Sequence, residues 1–223
     1  EKYTIRGFVW YQGESNTYNP LQYGELQRAM VADWRHNWGN TNLPFIYVQL
    51  PGFMDMSYLP EESNWAAFRE VQRKFLSVPN TGMATTIDLG EWNDVHPGRK
   101  REAGRRLALQ AEKISYHQAG IFSGPLYVSR KITGDKIELT FTSTGENLTT
   151  NDGEAPAEFE IAGADKKYVK AEANIEGDKV IVWSSRVPQP RYVRYAWADF
   201  PVNPNLYNKN GLPASPFSTD EGD

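Results

Sequence analysis

Three apolar segments, each followed by an amphipathic one, occupy the first half of the chain and constrain its fold more than any other feature. The strand-like segments cover residues 4–11, 44–50 and 83–88, and the helix-like segments after them cover 21–39, 63–77 and 98–117. This alternation is typical of an α/β fold with a parallel sheet and right-handed crossovers. Because doubly wound sheets usually hold about five or six strands, we expect part of the domain to lie upstream of this chain.

Each predicted helix carries apolar side chains at helical spacing, which defines the face that it buries. The expected inner residues are Leu26, Met30, Trp34 and Trp38, then Trp65, Phe68, Gln72 and Phe75, and finally Ala103, Leu107, Ala111 and Ile114. Ser63 is a suitable N-cap for the second helix, and Gly39 is a suitable residue to end the first. The basic residues expected on the solvated side of the third helix are Arg99, Lys100, Arg101, Arg105 and Arg106.

The sequence changes character after residue 120, where short strand-like runs replace the helices. The runs cover residues 126–128, 136–142, 157–161, 179–184 and 191–197. Gly-Asp pairs at 134–135 and 177–178 are typical of tight hairpin turns. We therefore predict an α/β part over residues 1–121 and a small antiparallel β module, a sandwich, over 122–223. The tail from residue 203 is expected to be an irregular loop pinned only by Leu206, Tyr207, Leu212 and Phe217.

The composition argues against several classes of partner. The 223 residues have a formal net charge of −4 and contain no basic block, so no nucleic-acid partner is expected. No segment is apolar over the length needed to cross a bilayer, so no membrane span is expected. There is no cysteine, which rules out disulfides and cysteine-bound zinc, and the three histidines are dispersed. We therefore expect neither a metal site nor a cofactor.

A histidine follows the third predicted strand in the sequence Asp-Leu-Gly-Glu-Trp-Asn-Asp-Val-His-Pro, residues 88–97. Open α/β sheets place their ligand sites on loops that follow strands. A carboxylate near a histidine, as Asp94 is near His96, can fix the imidazole tautomer and stabilise its protonated form, which suits a general base. The alternative is that both are ordinary loop residues. His36 and His117 lie near predicted helix ends and are expected at the surface.

A polar loop with the sequence Gln-Gly-Glu-Ser-Asn, residues 12–16, follows the first predicted strand and should reach the same sheet edge. The amides of Gln12 and Asn16 are suitable donors for an oxyanion hole, and Gly13 lets the backbone approach a ligand closely. Ser15 could be a nucleophile, or Ser15 or Asn16 could cap the next helix. Spacing alone leaves these interpretations open.

Four aromatic residues near these loops have two possible roles. Trp10, Tyr11 and Trp65 are expected in the core. Trp92, which lies in the loop before His96, is either part of the core or a platform on which a sugar ring stacks.

Short motifs along nearly the whole chain occur in an order found in a known family of enzymes. They include Trp-Tyr-Gln-Gly-Glu-Ser-Asn at 10–16 and Gly-Leu-Pro-Ala-Ser-Pro-Phe at 211–217. The other matching segments are 33–35, 44–45, 48–50, 69–72, 88–90, 94–97, 194–197 and 205–208. In these motifs the chain resembles the sialate O-acetylesterases, which are SGNH hydrolases. The resemblance is weakest across residues 125–190.

The resemblance implies a flavodoxin-like α/β fold, the SGNH three-layer sandwich, and removal of acetyl groups from sugar hydroxyls by acyl transfer to a serine. It implies that His96 is the general base, Asp94 its orienting acid, and Gln12 part of the oxyanion hole. The resemblance also implies that Gly13, Glu14 and Asn16 shape the loop around Gln12. The implied substrate is an O-acetylated sugar, sialic acids first. The alternatives are an acetyl xylan esterase of the same chemistry and an inactive carbohydrate-binding fragment.

Two features depart from the family pattern. The family's nucleophilic serine lies in a Gly-Gln-Ser-Asn-Met motif well upstream of the Trp-Tyr-Gln-Gly-Glu motif, and none occurs here, so Ser15 does not inherit that role. Many SGNH enzymes carry an aspartate three residues before the histidine, where this chain has Asn93. Asp88 and Glu91 therefore remain alternatives to Asp94. We expect the C-terminal part of a periplasmic or secreted esterase, with the nucleophile and signal peptide on an upstream fragment.

Overall fold

The first half of the chain forms a three-stranded parallel sheet with a helix after each strand. The computed structural model describes residues 3–220. The strands are β1 (Phe8–Trp10), β2 (Phe45–Val48) and β3 (Thr81–Ala84), and the helices are α1 (Pro20–Asn37), α2 (Asn64–Lys74) and α3 (Lys100–Ile114). The spatial order is β1-β2-β3, and both pairings are parallel. The predicted parallel arrangement is therefore confirmed for these strands.

Both edge strands differ from their predicted bounds. β1 starts late because β2 begins only after Pro44, which has no N–H to donate to a longer ladder. β3 ends at Ala84 because the chain then turns, and the Leu89 N–H donates to the Thr86 carbonyl at 2.9 Å. Asp88 consequently lies in a turn rather than at the end of a strand.

The helix ends follow the capping chemistry expected from the sequence. The Ser63 hydroxyl accepts a hydrogen bond from the Ala66 N–H at 2.8 Å, which confirms Ser63 as the N-cap of α2. After α1, Gly39 has a φ of +63°, the left-handed conformation that suits glycine beyond a helix end. Its N–H donates to the His36 carbonyl at 2.9 Å.

The buried face agrees with the prediction in α2 and differs from it in α1. The predicted inner residues of α2 are all buried: Trp65, Phe68, Gln72 and Phe75. In α1 the buried row is instead Tyr23, Gln27, Val31 and Arg35, whereas Leu26 of the predicted row is 56% exposed. The prediction is wrong for Leu26, whereas Met30 and Trp34 are partly buried and pack against the core. The fully buried row includes Arg35 because a guanidinium can be buried without an acidic partner when carbonyls receive its N–H groups. The Arg35 guanidinium donates to the carbonyls of Leu43, Pro79 and Asn80.

Helix α3 buries a charged residue that the sequence places on its solvated side. Arg106 is buried together with Ala103 and Gln110. Its guanidinium donates to both carboxylate oxygens of Asp88, at 2.5 and 2.7 Å. The expectation for Arg106 is wrong because its partner comes from a distant turn, which helical spacing does not reveal.

Within residues 3–220, no helix is long and apolar enough to cross a membrane.

The second half of the chain forms antiparallel sheets around a second core, to which the first half contributes Ile87. Its strands are β4 (Leu126–Thr133), β5 (Lys136–Thr142), β6 (Leu148–Thr150), β7 (Phe159–Ala162), β8 (Val169–Lys170), β9 (Glu172–Glu176), β10 (Lys179–Trp183), β11 (Tyr192–Tyr195), β12 (Leu206–Asn208) and β13 (Phe217–Ser218). The orders are β4-β5-β10-β9, β13-β11-β7-β8 and β12-β6. Leu139 and Val180 of one four-stranded sheet share a core with Ile161 and Val193 of the other. The antiparallel character predicted for this half is confirmed, and the division at residue 121 stays a prediction.

The C-terminal tail is part of the packed structure, which corrects the expectation of a loop pinned by four side chains. Residues 203–220 contribute β12 and β13, and the polar side chains of Asn208 and Ser215 are buried. The Asn208 amide donates to the carbonyls of Ser123 and Ser143, so its burial leaves no unpaired N–H. The last three residues of the tail lie outside the described residues.

Candidate active site

The loops that follow the three parallel strands meet at one edge of the sheet around a shared aromatic cluster. The buried members of this cluster are Tyr23, Leu50, Trp65 and Phe68, and the partly buried residues packed against it are Tyr11, Phe53 and Val95. Tyr11 directly precedes Gln12, and Val95 directly precedes His96. The structure therefore brings together the two loops in which the sequence predicts the chemistry.

The Gln12 side chain is held within its own loop. Its Nε2 donates to Asn16 Oδ1 at 2.8 Å, and the main-chain carbonyl of Gln12 accepts a hydrogen bond from the Tyr23 hydroxyl at 3.2 Å. The next residues, Glu14–Asn16, form one 3-10 turn, in which the Asn16 N–H donates to the Gly13 carbonyl at 2.8 Å. A primary amide has two N–H groups, so the second N–H of Gln12 can serve a ligand.

Glycine is required at position 13 for two reasons. Gly13 has a φ of +146°, in the region that favours glycine. A Cβ added there would lie 2.6 Å from two atoms of the Phe68 ring. The loop can therefore pack against the aromatic cluster only without a side chain at this position.

The loop that carries His96 is folded by its own carboxylates. Asp94 Oδ1 accepts a hydrogen bond from the His96 main-chain N–H at 2.7 Å, and Glu91 Oε1 accepts one from the Gly98 N–H at 2.7 Å. His96 is exposed, and within residues 3–220 its ring forms no hydrogen bond or ion pair. The structure thus places Asp94 against the backbone of His96 rather than against its imidazole.

Asp88, the third candidate for the orienting acid, is committed to a different partner. Both of its carboxylate oxygens accept hydrogen bonds from Arg106, which also donates to Glu102 at 3.0 Å. Hydrogen bonds from Arg105 have the largest effect on the pKa of Glu102. Partial burial opposes this effect and Arg106 reinforces it, so the pKa of Glu102 is lowered to about 2. This ion-pair network fixes the start of the His96 loop on α3, which makes Asp88 a poor candidate for orienting the ring.

Several contacts at this edge escape prediction from the sequence. The Lys100 ammonium lies 3.5 Å from the Tyr11 hydroxyl and 4.8 Å from the centre of its ring, so it joins the two loops. Burial, together with the charge of Glu14, raises the pKa of Tyr11 to about 12. The burial of Tyr23 could have been predicted, because Tyr23, Gln27 and Val31 follow one another at four-residue spacing. No local pattern in the sequence pairs Lys100 with Tyr11.

The His96 loop rests on the loop that follows β2. A Cβ added at Gly90 would lie 2.0 Å from the Gly52 carbonyl oxygen, so the two backbones touch. The Met54 N–H also donates to the Trp92 carbonyl at 3.0 Å. The Trp92 side chain is 49% exposed, which excludes the core interpretation and leaves its indole accessible to a ligand.

The other residues singled out from the sequence occupy structural or surface positions. Trp65 is buried, whereas Trp10 and Tyr11 are half-buried. His36 and His117 are exposed, as expected.

A groove of about 290 Å³ lies beside the Gln12 loop, between β1 and α1. Its lining residues are Trp10, Gln12, Asn16, Tyr23, Leu26, Gln27 and Met30. Gln27 is only 3% exposed, yet neither polar atom of its amide has a hydrogen-bond partner within the described part of the chain. Because an unpaired buried amide costs free energy, Gln27 is a candidate for binding a polar group in this groove.

A parallel sheet with polar loops at its carboxyl edge is typical of α/β proteins that bind ligands at this edge. A family profile described as "Carbohydrate esterase, sialic acid-specific acetylesterase" matches residues 1–113. The chain belongs to this family of carbohydrate esterases, which confirms the family indicated by the motifs.

The similarity to individual relatives extends over nearly the whole chain. The chain is 30% identical to the sialate O-acetylesterase of Rattus norvegicus over 249 residues, covering 96% of this chain and 44% of the relative. For the sialate O-acetylesterase of Homo sapiens the identity is 29% over 251 residues, covering 98% and 47%. A carbohydrate acetylesterase structure from Xanthomonas citri is 41% identical with a TM-score of 0.93, covering 98% of this chain and 51% of that one. The chain thus spans about half the length of these relatives.

Proposed function

We propose that this chain forms part of an esterase that removes acetyl groups from O-acetylated sugars by serine-dependent acyl transfer. The observation that carries the proposal is the meeting of the Gln12 and His96 loops on one aromatic cluster in a chain of the acetylesterase family. Sialic acids are the first candidate substrates, because the family and the mammalian relatives are named for them. Acetylated xylan is the alternative, since the Xanthomonas citri neighbour is described only as a carbohydrate acetylesterase.

In this proposal His96 transfers the protons and Gln12 stabilises the oxyanion in the same acyl-transfer step. A serine hydroxyl attacks the acetyl carbonyl while His96 accepts its proton. The amide N–H of Gln12 stabilises the oxyanion, in an orientation fixed by Asn16. His96 then protonates the departing sugar oxygen, and the acetyl-serine is hydrolysed by water with His96 again as the base. Acetate and the free sugar hydroxyl are the products.

Asp94 is the acid that we propose to support His96. Asp88 is committed to Arg106, and one oxygen of Glu91 is committed to the Gly98 N–H. Asp94 is held within two residues of His96 by the hydrogen bond from its backbone. Its negative charge is therefore fixed close to the position where the imidazolium charge develops.

We propose that the nucleophilic serine comes from a polypeptide segment outside these 223 residues, and that the complete sheet is an SGNH three-layer sandwich. Two features of the described residues support a missing neighbour. The outer edge of β1 pairs with no strand within residues 3–220, and its central residue, Val9, is 63% exposed. A flat, exposed strand edge is a template for pairing with another segment.

The groove beside β1 supports the same partner. Gln27 offers a donor and an acceptor side by side, which matches the N–H and C=O of a main-chain peptide group. The apolar wall of the groove includes Leu26, which is 56% exposed. An incoming strand with an apolar side chain would cover Leu26 and satisfy Gln27 at the same time.

The proposal extends to the sugar-binding residue and to the location of the enzyme. Trp92 is a candidate platform for the sugar ring, because its indole is half exposed on the loop that carries His96. A periplasmic or secreted location fits an enzyme acting on glycan O-acetyl groups, with the signal peptide on the upstream fragment. Intact mass and N-terminal sequencing of the enzyme purified from its source would reveal such a fragment.

The test of the function is acetate release by the complete enzyme, expressed from its full gene. O-acetylated N-acetylneuraminic acid and acetylated xylan are compared as substrates. We expect turnover of the sialic acid ester, and we expect His96→Ala to lower it by several orders of magnitude. His36→Ala, a surface histidine on α1, is the matched control and should leave turnover unchanged. Activity of His96→Ala within about tenfold of wild type would reject His96 as the base.

A further inference from the structure

Arg69 on α2 is a buried charge whose partners are main-chain carbonyls rather than a carboxylate. It is fully buried. The guanidinium donates through Nη1 to the carbonyls of Pro51 at 3.4 Å and Asp199 at 3.3 Å, and through Nη2 to those of Ala196 and Ala198. Burial, partly offset by the Asp199 carboxylate, lowers the pKa of Arg69 to about 9. Burying a charge is costly, so hydrogen bonds of this kind hold both the guanidinium and the segments that supply the carbonyls.

The four carbonyls belong to two segments from different halves of the chain. Pro51 opens the support segment, residues 51–54, which follows β2. The other three carbonyls lie in the turn of residues 196–199, which follows β11. The segments also touch directly, because the Phe53 N–H donates to the Asp199 carbonyl at 3.1 Å. Next to the turn, a Cβ added at Gly52 would lie 2.9 Å from the Phe200 ring. Arg69 therefore ties the support segment to the β module.

The support segment in turn carries the His96 loop. Its Gly52 carbonyl touches Gly90, and its Met54 N–H donates to the Trp92 carbonyl. No side chain of the β module needs to reach His96 for the module to influence it. A displacement of the support segment would instead move the backbone on which Trp92 and His96 lie.

We propose that Arg69 is a positioning residue through which the β module holds the His96 loop in place. Its role in turnover rests on the proposed function, whereas its role in holding the loop does not. The Arg69-Glu70-Val71-Gln72 motif then does more than pack α2 against its neighbours. Arg69 holds the support segment, and Gln72, at the other end of the motif, holds the carboxyl end of β2. Gln72 bonds the Leu50 N–H at 2.9 Å and the Val48 carbonyl at 3.0 Å.

The test compares Arg69→Met with Arg73→Met in the complete enzyme by amide and indole NMR. Arg73 lies one turn along the same helix and pairs with Glu70 at 2.7 Å, so it controls for loss of a charge from α2. We expect Arg69→Met to shift the amide signals of Gly52 and Gly90 and the indole signal of Trp92. Signals from α1 and β10 should stay in place, and Arg73→Met should leave the three reporters unchanged. A folded Arg69→Met with all three reporters at their wild-type positions would overturn the proposal.

A second variant keeps the test decisive if Arg69→Met does not fold. Phe200→Ala loosens the support segment from the other side without leaving a buried charge unpaired. It should move the same three reporters, and unchanged reporters would again overturn the proposal. In the complete enzyme, Arg69→Lys should lower kcat by about a hundredfold with KM nearly unchanged. An enzyme without esterase activity would reject the proposed function while leaving the NMR result to decide the role of Arg69.

Discussion

Asp94 holds His96 by its backbone: the carboxylate Oδ1 accepts the His96 N–H at 2.7 Å while the imidazole stays exposed. A spacing of two residues suits this turn, in which a side-chain oxygen bonds an N–H two positions on. We propose that the charge of Asp94, two residues from His96, also stabilises the imidazolium. Asp94 can therefore act in two ways, by shaping the loop and by stabilising the imidazolium.

Substitution of Asp94 separates these two roles. Asp94→Asn keeps an oxygen that can accept the His96 N–H but removes the charge. We expect kcat of the complete enzyme to fall by about a hundredfold or more, because the imidazolium loses its stabilising carboxylate. The backbone amide signal of His96 should move in Asp94→Ala and stay nearly unchanged in Asp94→Asn. Near-wild-type turnover of Asp94→Asn would restrict Asp94 to the loop-shaping role.

Gln12→Ala should lower kcat far more than it raises KM. An oxyanion donor acts mainly in the transition state and contributes roughly 3–4 kcal/mol to its stabilisation. Steady-state kinetics on p-nitrophenyl acetate measures both constants. Gln118→Ala, at an exposed position after α3, is the control and should change neither. A rise in KM alone would make Gln12 a substrate contact.

Gly13→Ala should destabilise the fold and distort the Gln12 loop. The sparsely populated backbone conformation costs about 1–3 kcal/mol for a residue with a side chain, and the clash of a Cβ with the Phe68 ring at 2.6 Å adds to it. Gly39→Ala is the matched control, because Gly39 has a positive φ but no atom within 4 Å of an added Cβ. Urea denaturation should show a larger loss for Gly13→Ala than for Gly39→Ala. Equal losses would mean that Phe68 moves aside without cost.

The ion pairs on α3 predict a loss of stability in acid. The folded-state pKa of Glu102 is about 2, below its ordinary value of 4.5. The folded chain thus binds fewer protons than the unfolded chain between these values. The stabilisation is fully present above pH 4.5 and is lost as the pH falls toward 2.

Glu102→Gln should remove part of this pH dependence, roughly 1 kcal/mol after allowance for solvent screening. Urea midpoints measured at neutral and acid pH report the effect. Glu112→Gln on the same helix is the control, since within residues 3–220 Glu112 forms no ion pair. If Glu102→Gln lost as much stability as the wild type between neutral and acid pH, Glu102 would not be the source of the pH dependence.

The features that could be predicted from the sequence are those fixed by nearby residues. The helical face of α2 and the cap at Ser63 depend on spacing and local hydrogen bonds. The hairpin turns beginning at Gly134 and Gly177 depend on two residues each. The placement of the His96 loop followed from the rule that parallel strands share a carboxyl edge.

The features that could not be predicted depend on partners far along the chain. Arg106 is buried because Asp88 receives its charge, and Asn208 is buried because carbonyls more than sixty residues earlier accept its amide hydrogens. In the same way, the carbonyls that receive Arg69 come from the turn of residues 196–199 and from Pro51. A single sequence shows which side chains are polar, but it does not show which carbonyl will lie beside them.

We propose that this chain carries the base and the oxyanion loop while the nucleophile lies outside these 223 residues. The most direct measurement is reaction of the isolated chain with a serine-directed fluorophosphonate, followed by peptide mass spectrometry. Ser15 is the serine to examine, because it is exposed in the Gln12 loop. We predict no stoichiometric labelling at Ser15, and measurable activity of Ser15→Ala in the complete enzyme. Stoichiometric labelling of Ser15 in the isolated chain would contradict the claim and make this chain an esterase by itself.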